Sequence, residues 1–247
     1  MKVCKQYINE HVAEIVLNRP KQKNAVDFDV IEQLDEHITM LANDENITVL
    51  ILRGEGGAFC SGGDLRAFHQ LMTKEDAKTM LQPMNDVLKK IVSFPGVTVS
   101  YIDGAAVGGG AELATSTDYR LASPNCKVGF IQGRLHLTTG WGGASILKDR
   151  IGREVALQML GSGRLYSPVE AKEIGFVQEV VSSLDEVYDW AERWLQSPQV
   201  IRNYKALLYK EKEKLYTEMD QEVSSCSSLW ETEEHHSAVK NFLEKSQ

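Results

Sequence analysis

The sequence has no pair of cysteines spaced to mark a zinc site or a dithiol: Cys4, Cys60, Cys126 and Cys226 are scattered through 247 residues, with no CxxC among them. They are expected to be reduced thiols of a cytoplasmic protein. No apolar run approaches the ~20 residues that cross a bilayer, and no basic-then-apolar leader opens the chain. Neither membrane insertion nor secretion is therefore expected. Positive charge is also short, with 27 Lys and Arg against 35 Asp and Glu and a formal charge of -8. That balance argues against a nucleic-acid footprint spread over the surface, so any polyanionic ligand must find a local basic patch. Internal repeats and low-complexity tracts are missing as well. What remains, 43% hydrophobic and 25% charged residues, is an ordinary globular composition long enough for a large core.

The pattern along the chain is that of an α/β protein. Residues 3–17 alternate around the polar break Asn9-Glu10-His11, as two antiparallel strands joined by a tight turn do. Asp27 and Asp29 then open a helix whose apolar residues Ile31, Leu34, Ile38 and Leu41 recur at spacings of three and four. Residues 48–52 and 97–102 are short continuous apolar runs, expected to be buried strands. Each leads into a Gly-rich turn, GEGGAFCSGGD after the first and DGAAVGGGAEL after the second. Between them residues 75–92 predict a helix with Met80, Met84, Val87, Leu88 and Ile91 on one face, stopped by Pro95. Strand, helix, strand in that order implies a parallel crossover. From Gly143 onward the pattern is mostly helical, interrupted by a short strand at 177–181 and by Pro168 and Pro198.

Two glycine-rich turns after two buried strands point to ligand binding, because strand ends and helix N-termini in such sheets offer unpaired N–H groups. Glycine lets the backbone itself approach a ligand oxygen. Neither turn has the GK[ST] ending of a phosphate-binding loop or the GxGxxG spacing of a dinucleotide fold. Nucleotide hydrolysis and NAD chemistry are thereby disfavoured.

The sequence resembles the crotonase superfamily, the enoyl-CoA hydratases and isomerases, over nearly its whole length. The resemblance is carried by VAEIVLNRPKQKNAVD, GGAFCSGGDL, VSYIDGAAVGGGAELATSTDYRLAS and TTGWGGASIL, in that order, followed by the C-terminal helices. It implies a crotonase-like spiral of ββα units over residues 1–190. A C-terminal helical region, 191–247, would then pack in a homotrimer or homohexamer and cover the active site. The implied substrate is an acyl-CoA thioester, with no cofactor beyond the coenzyme A it carries and no metal.

By the same resemblance the N–H groups of Gly63 and Gly109 form an oxyanion hole for the thioester oxygen. Preorganised donors of this kind are typically worth about 3–4 kcal/mol each. Glu112, one turn into the helix that Gly109 opens, falls at the family's first catalytic glutamate. Where hydratases carry a second glutamate, ungapped alignment puts Gln132, and an amide cannot exchange a proton near neutral pH. Substrate and CoA contacts implied by the resemblance are Lys23, Ala25, Ser61, Gly62, Asp64, Leu65, Arg66, Trp141 and Lys245, with Lys21 beside them. Read from the residues alone, Asp64 braces its turn, Trp141 equally fills core, and His69 and His136 are structural or surface groups.

The expected reaction is hydration or isomerisation of an enoyl-CoA. The alternative is decarboxylation of a short ethylmalonyl- or methylmalonyl-type thioester, since GGGAEL and GWGG are also similar to the ethylmalonyl-CoA decarboxylase branch. A non-catalytic binding protein on the same scaffold is a third reading. A serine-protease relative comes last, for want of a Ser/His/Asp constellation at these turns.

Overall fold

A computed structural model describes residues 1–194 and 197–245, with only the backbone of Lys245. Strands β1 (Val3–Tyr7) and β2 (Val12–Leu17) form the expected antiparallel pair. Helix α1 (Phe28–Ala42) follows, its first turn capped by the Asp27 carboxylate accepting the Val30 N–H. Three ββα turns succeed one another. The first is β3 (Val49–Gly54), β4 (Ala58–Cys60), the single turn α2 (Leu65–Phe68) and α3 (Lys74–Val92). The second is β5 (Val97–Ile102), β6 (Ala105–Val107) and α4 (Gly109–Ser116). The third is β7 (Tyr119–Ala122), β8 (Lys127–Gly129), a 3-10 turn at Gln132–Leu135 and α5 (Gly143–Ile151).

Each turn contributes one strand to each of two sheets. The larger runs β1-β2-β3-β5-β7 and ends on β9 (Glu179–Val180), parallel from β2 onward. The smaller is β4-β6-β8, wholly parallel. This is the α/β spiral expected from the sequence. Alternation along β3 explains its continuous apolar run: Leu50 and Leu52 face the main core, while Val49 and Ile51 face a second core closed by Val187 and Trp190. Those two residues lie on α8 (Leu184–Glu192), after α6 (Arg153–Ser162) and α7 (Pro168–Glu173).

Some expectations need correcting. The strand placed at 177–181 is only the two-residue β9. Pro168 opens α7, and Pro198 opens α9 (Pro198–Leu208). The ring fixes φ and the missing N–H is one that a helix start leaves unpaired anyway. The last helices, α10 (Lys212–Trp230) and α11 (Glu233–Lys245), also differ from the expected subunit-facing pattern. Trp230 and Val239 are buried within the chain itself, and Met219, Val223 and Cys226 of α10 belong to the main core. Phe242 stays half exposed at the rim of a cavity. Helix α9 is tied down by Lys205, which pairs with the partly buried Asp118 at the head of β7. The same carboxylate accepts the Tyr209 hydroxyl at 2.6 Å and the Thr98 N–H at 2.9 Å.

Candidate active site

The small sheet sets the site. Strands β4, β6 and β8 lie side by side and parallel, so their C-terminal ends align. The residues just past those ends, Gly63, Gly109 and Gln132, come to one wall of a cavity of about 870 Å³. Ligands bind at such strand ends in parallel sheets. Helices α3 and α10 close the cavity with Met80, Leu81, Cys226 and Trp230, and α11 covers one side.

Hydrogen bonding fixes which way the Gly63 amide points. Val26 N–H bonds to the Gly62 carbonyl at 2.9 Å and Asp64 N–H to the Val26 carbonyl at 2.8 Å. In a parallel bridge of this kind the middle residue of the three, Gly63, turns its own N–H the other way. Gly109 is the first residue of α4, where the N–H has no partner within the helix. Glycine is required there by close approach: a Cβ on Gly109 would stand 2.3 Å from the Trp141 ring. The same ring lies 3.8 Å from where a Cβ of Gly63 would be, so one indole backs both amides.

Glu112 is buried in the first turn of α4, at 2% exposure. Its Oε2 accepts the N–H groups of Trp141 at 2.9 Å and Gly143 at 3.0 Å. Its Oε1 accepts the Gln132 side-chain amide at 2.9 Å and, more weakly, the Gly140 N–H at 3.5 Å. Burial pushes its pKa up to about 7, the charge of Glu222 adds to that, and the hydrogen bonds from Trp141, Gly143 and Gln132 oppose it. A buried carboxyl balanced near neutrality can both give and take a proton. Gln132 stands in direct contact with Glu112. Its own carbonyl oxygen, Oε1, is buried without a partner among the described residues.

The other expected residues divide. Ser61, Gly62, Leu65 and Trp141 line the cavity, and Trp141 is buried with its Nε1 3.4 Å from Met80 Sδ. Lys23, Ala25, Asp64 and Arg66 lie outside its wall. Lys23 holds a left-handed conformation at φ 49°, and its carbonyl accepts the Ser61 N–H at 3.0 Å. The Ala25 carbonyl accepts Arg19 Nη1. Asp64 caps α2 through the Arg66 N–H and pairs with Arg19 at 3.0 Å, which is the bracing role its turn suggests. The Lys245 side chain lies outside the described residues. His69 is exposed, whereas His136 lies on the cavity rim. Among the described residues no cluster of three or more His, Cys, Asp or Glu could hold a metal.

Two features escaped the sequence reading. The GWGG segment is the seat of the Glu112 carboxylate; a Cβ on Gly143 would come within 2.8 Å of Glu112 Oε2. Glu222 of α10 sits behind that seat, and it is visible in sequence only as an acid inside the apolar stripe Met219, Val223, Cys226, Trp230.

A family model described as enoyl-CoA hydratase/isomerase matches residues 7–247. Ethylmalonyl-CoA decarboxylase of Gallus gallus is 34% identical over 73% of the chain, which spans 61% of that relative's length. Ethylmalonyl-CoA decarboxylase of Xenopus tropicalis is 30% identical over 89% of the chain and 76% of the relative. Among solved structures, enoyl-CoA hydratase from Bacillus halodurans superposes with a TM-score of 0.89 at 25% identity, covering 98% of this chain and all of the other.

Proposed function

Since the chain belongs to the enoyl-CoA hydratase/isomerase family, we propose that it decarboxylates a short 2-alkylmalonyl-CoA thioester, with Glu112 as its single proton-transfer group. The observation that carries this reading is the pairing at the cavity wall. One buried carboxyl lies near two backbone donors, and the position of a second carboxylate is filled by the Gln132 amide bonded to the first. Two-carboxylate hydration needs an acid and a base that Gln132 cannot supply. Decarboxylation needs neither base nor activated water. The bond from the α-carbon to the carboxylate breaks, its electron pair moves into the thioester carbonyl, and CO₂ leaves.

The negative charge thereby travels from the carboxylate to the thioester oxygen, which the Gly63 and Gly109 N–H groups receive as an oxyanion hole. The apolar wall of Phe68, Met80, Leu81 and Trp141 favours loss of a charged group as a neutral gas. Glu112 in its acid form then protonates the enolate carbon and regains a proton from solvent. Gln132 suits both states of its partner, since a half-turn of the amide exchanges its N–H donor for its carbonyl acceptor. The CoA portion would leave past Ser61 and Leu65, with Lys23 and Arg66 on the flank for its phosphates. The curated relatives named ethylmalonyl-CoA decarboxylase support the same choice.

A 3-enoyl-CoA isomerisation is the second reading, because one carboxylate can move a proton between two carbons of one allylic system. Incubation with ethylmalonyl-CoA, crotonyl-CoA and a 3-enoyl-CoA, followed by mass spectrometry, separates the reactions. Butyryl-CoA and CO₂ from the first substrate, lost in Glu112→Gln by 10²-fold or more, are expected. Rapid hydration of crotonyl-CoA with ethylmalonyl-CoA untouched would overturn the reading.

A further inference from the structure

Helix α5 has no capping side chain of its own, because its N-cap residue is Gly142. Its free N–H groups go instead to two carboxylates brought from distant elements. Gly143 bonds to Glu112 Oε2 at 3.0 Å, whereas Ala144 and Ser145 bond to Glu222 at 3.1 and 2.6 Å. Ile146 then donates to the Gly142 carbonyl, the first bond of the helix proper, so the three open N–H groups of its first turn all have carboxylate partners. Glu222 also accepts the Thr139 hydroxyl at 2.5 Å, just upstream of the N–H groups of Gly140 and Trp141 that Glu112 holds. A single stretch, residues 139–145, is therefore clamped between α4 and α10 by alternating carboxylates.

We propose that Glu222 is a positioning residue for Glu112: it fixes the backbone on which the Glu112 carboxyl is seated, and its charge behind that seat holds Glu112 in the acid form. Two carboxylates sharing one helix start cannot both be charged without repulsion. Each carboxylate accepts three hydrogen bonds within 3.1 Å, but Glu112 is fully buried whereas Glu222 is only partly so, and desolvation leaves the proton on Glu112. Among the described residues the groups that bond to Glu112 are the Gly140, Trp141 and Gly143 amides and the Gln132 side chain, none of them a cation. Helix α10 presents Glu222 and Cys226, and α3 presents Met80 and Leu81. The turn after β8 presents Gln132 to Glu112 and carries Arg134 and His136 at the cavity wall, where α11 brings Glu233 and Glu234. Burial and the Glu222 charge are the two influences that raise Glu112. The use made of the proton rests on the decarboxylase reading; the coupling of the two carboxylates does not.

The test is the full chain carrying Glu222→Gln. The Glu112 midpoint is read without substrate from the carboxyl infrared band, with Glu112→Gln as the blank, and again from the pH profile of turnover. The expected midpoint falls by about 1 pH unit, and the descending limb of kcat moves with it. Turnover at pH 8 should drop about 10-fold while KM stays within twofold. A folded Glu222→Gln protein with an unmoved midpoint overturns the proposal. Glu222→Asp covers the case in which the amide variant does not fold: it keeps the charge but retracts the carboxylate by one methylene. That variant should keep its midpoint near that of the wild type and lose kcat, and wild-type kcat in it would overturn the positioning role. A shifted midpoint in a protein that decarboxylates nothing would remove the decarboxylase reading and leave the coupling intact.

Discussion

Glu112 is a residue whose surroundings work against folding. Its pKa in the native protein is pushed up to about 7 from the ordinary 4.5, chiefly by burial, so the native state holds this proton more tightly than the unfolded chain does. The sign follows directly: the native state loses stability as pH rises from about 4.5 to about 7, and the loss persists above. At about 1.4 kcal/mol per pH unit the loss over that interval comes to at most about 3.5 kcal/mol. Glu112→Gln is nearly isosteric, and its amide can donate to the unpartnered Gln132 carbonyl. It should be more stable than wild type in urea at pH 8, with the gap closing towards pH 5; a gap independent of pH would refute this. That Gly63, Gly109, Glu112 and Gln132 meet at one cavity was legible in the sequence because each lies in or between the short motifs that carry the family resemblance. Glu222 was not, because its partners are 77 to 83 residues away and an acid on an amphipathic helix ordinarily faces water.

At the scale of elements, the start of α5 matters most, because its backbone rather than its side chains makes the contact. Gly143 has no left-handed φ to explain it; the space is taken by the Glu112 carboxyl. Gly143→Ala should push that carboxyl off its seat and lower kcat by 10-fold or more. The strain should cost about 1–3 kcal/mol, read as a lowered urea midpoint. A variant with unchanged kcat would mean that the seat tolerates displacement. Strands β1, β2, β3 and β5 and helices α1 and α3 could be read from apolar periodicity and caps. The role of GWGG could not, since a string of glycines states that side chains are excluded but not what excludes them. Strand β9 was over-extended for a related reason: Phe176 and Val177 are apolar because they enter the core from a loop.

Over the whole molecule, α9 carries an apolar face that the chain leaves uncovered. Val200, Tyr204, Leu207 and Leu208 are 48, 60, 68 and 79% exposed, more than isolated surface residues would explain. We expect this face to be buried against a second copy of the chain. Sedimentation should therefore give a multiple of the chain mass, reduced to the monomer by Tyr204→Asp with Leu208→Asp; a monomeric wild type would refute it. The spiral itself was legible from the order of strand, Gly-rich turn and helix taken together with the resemblance to the crotonase superfamily. The inward commitment of Trp230 and Val239 was not, because amphipathic periodicity marks an apolar face without saying whether it meets its own chain or another. The clamp on residues 139–145 also has a consequence for the nascent protein. Glu222 leaves the ribosome 110 residues after Glu112, an interval of about 5–20 s at ordinary rates of synthesis. During that time the spiral can already be winding, but Glu112 waits beside a helix start only half capped. The chemistry of the site thus becomes available only once α10 has emerged.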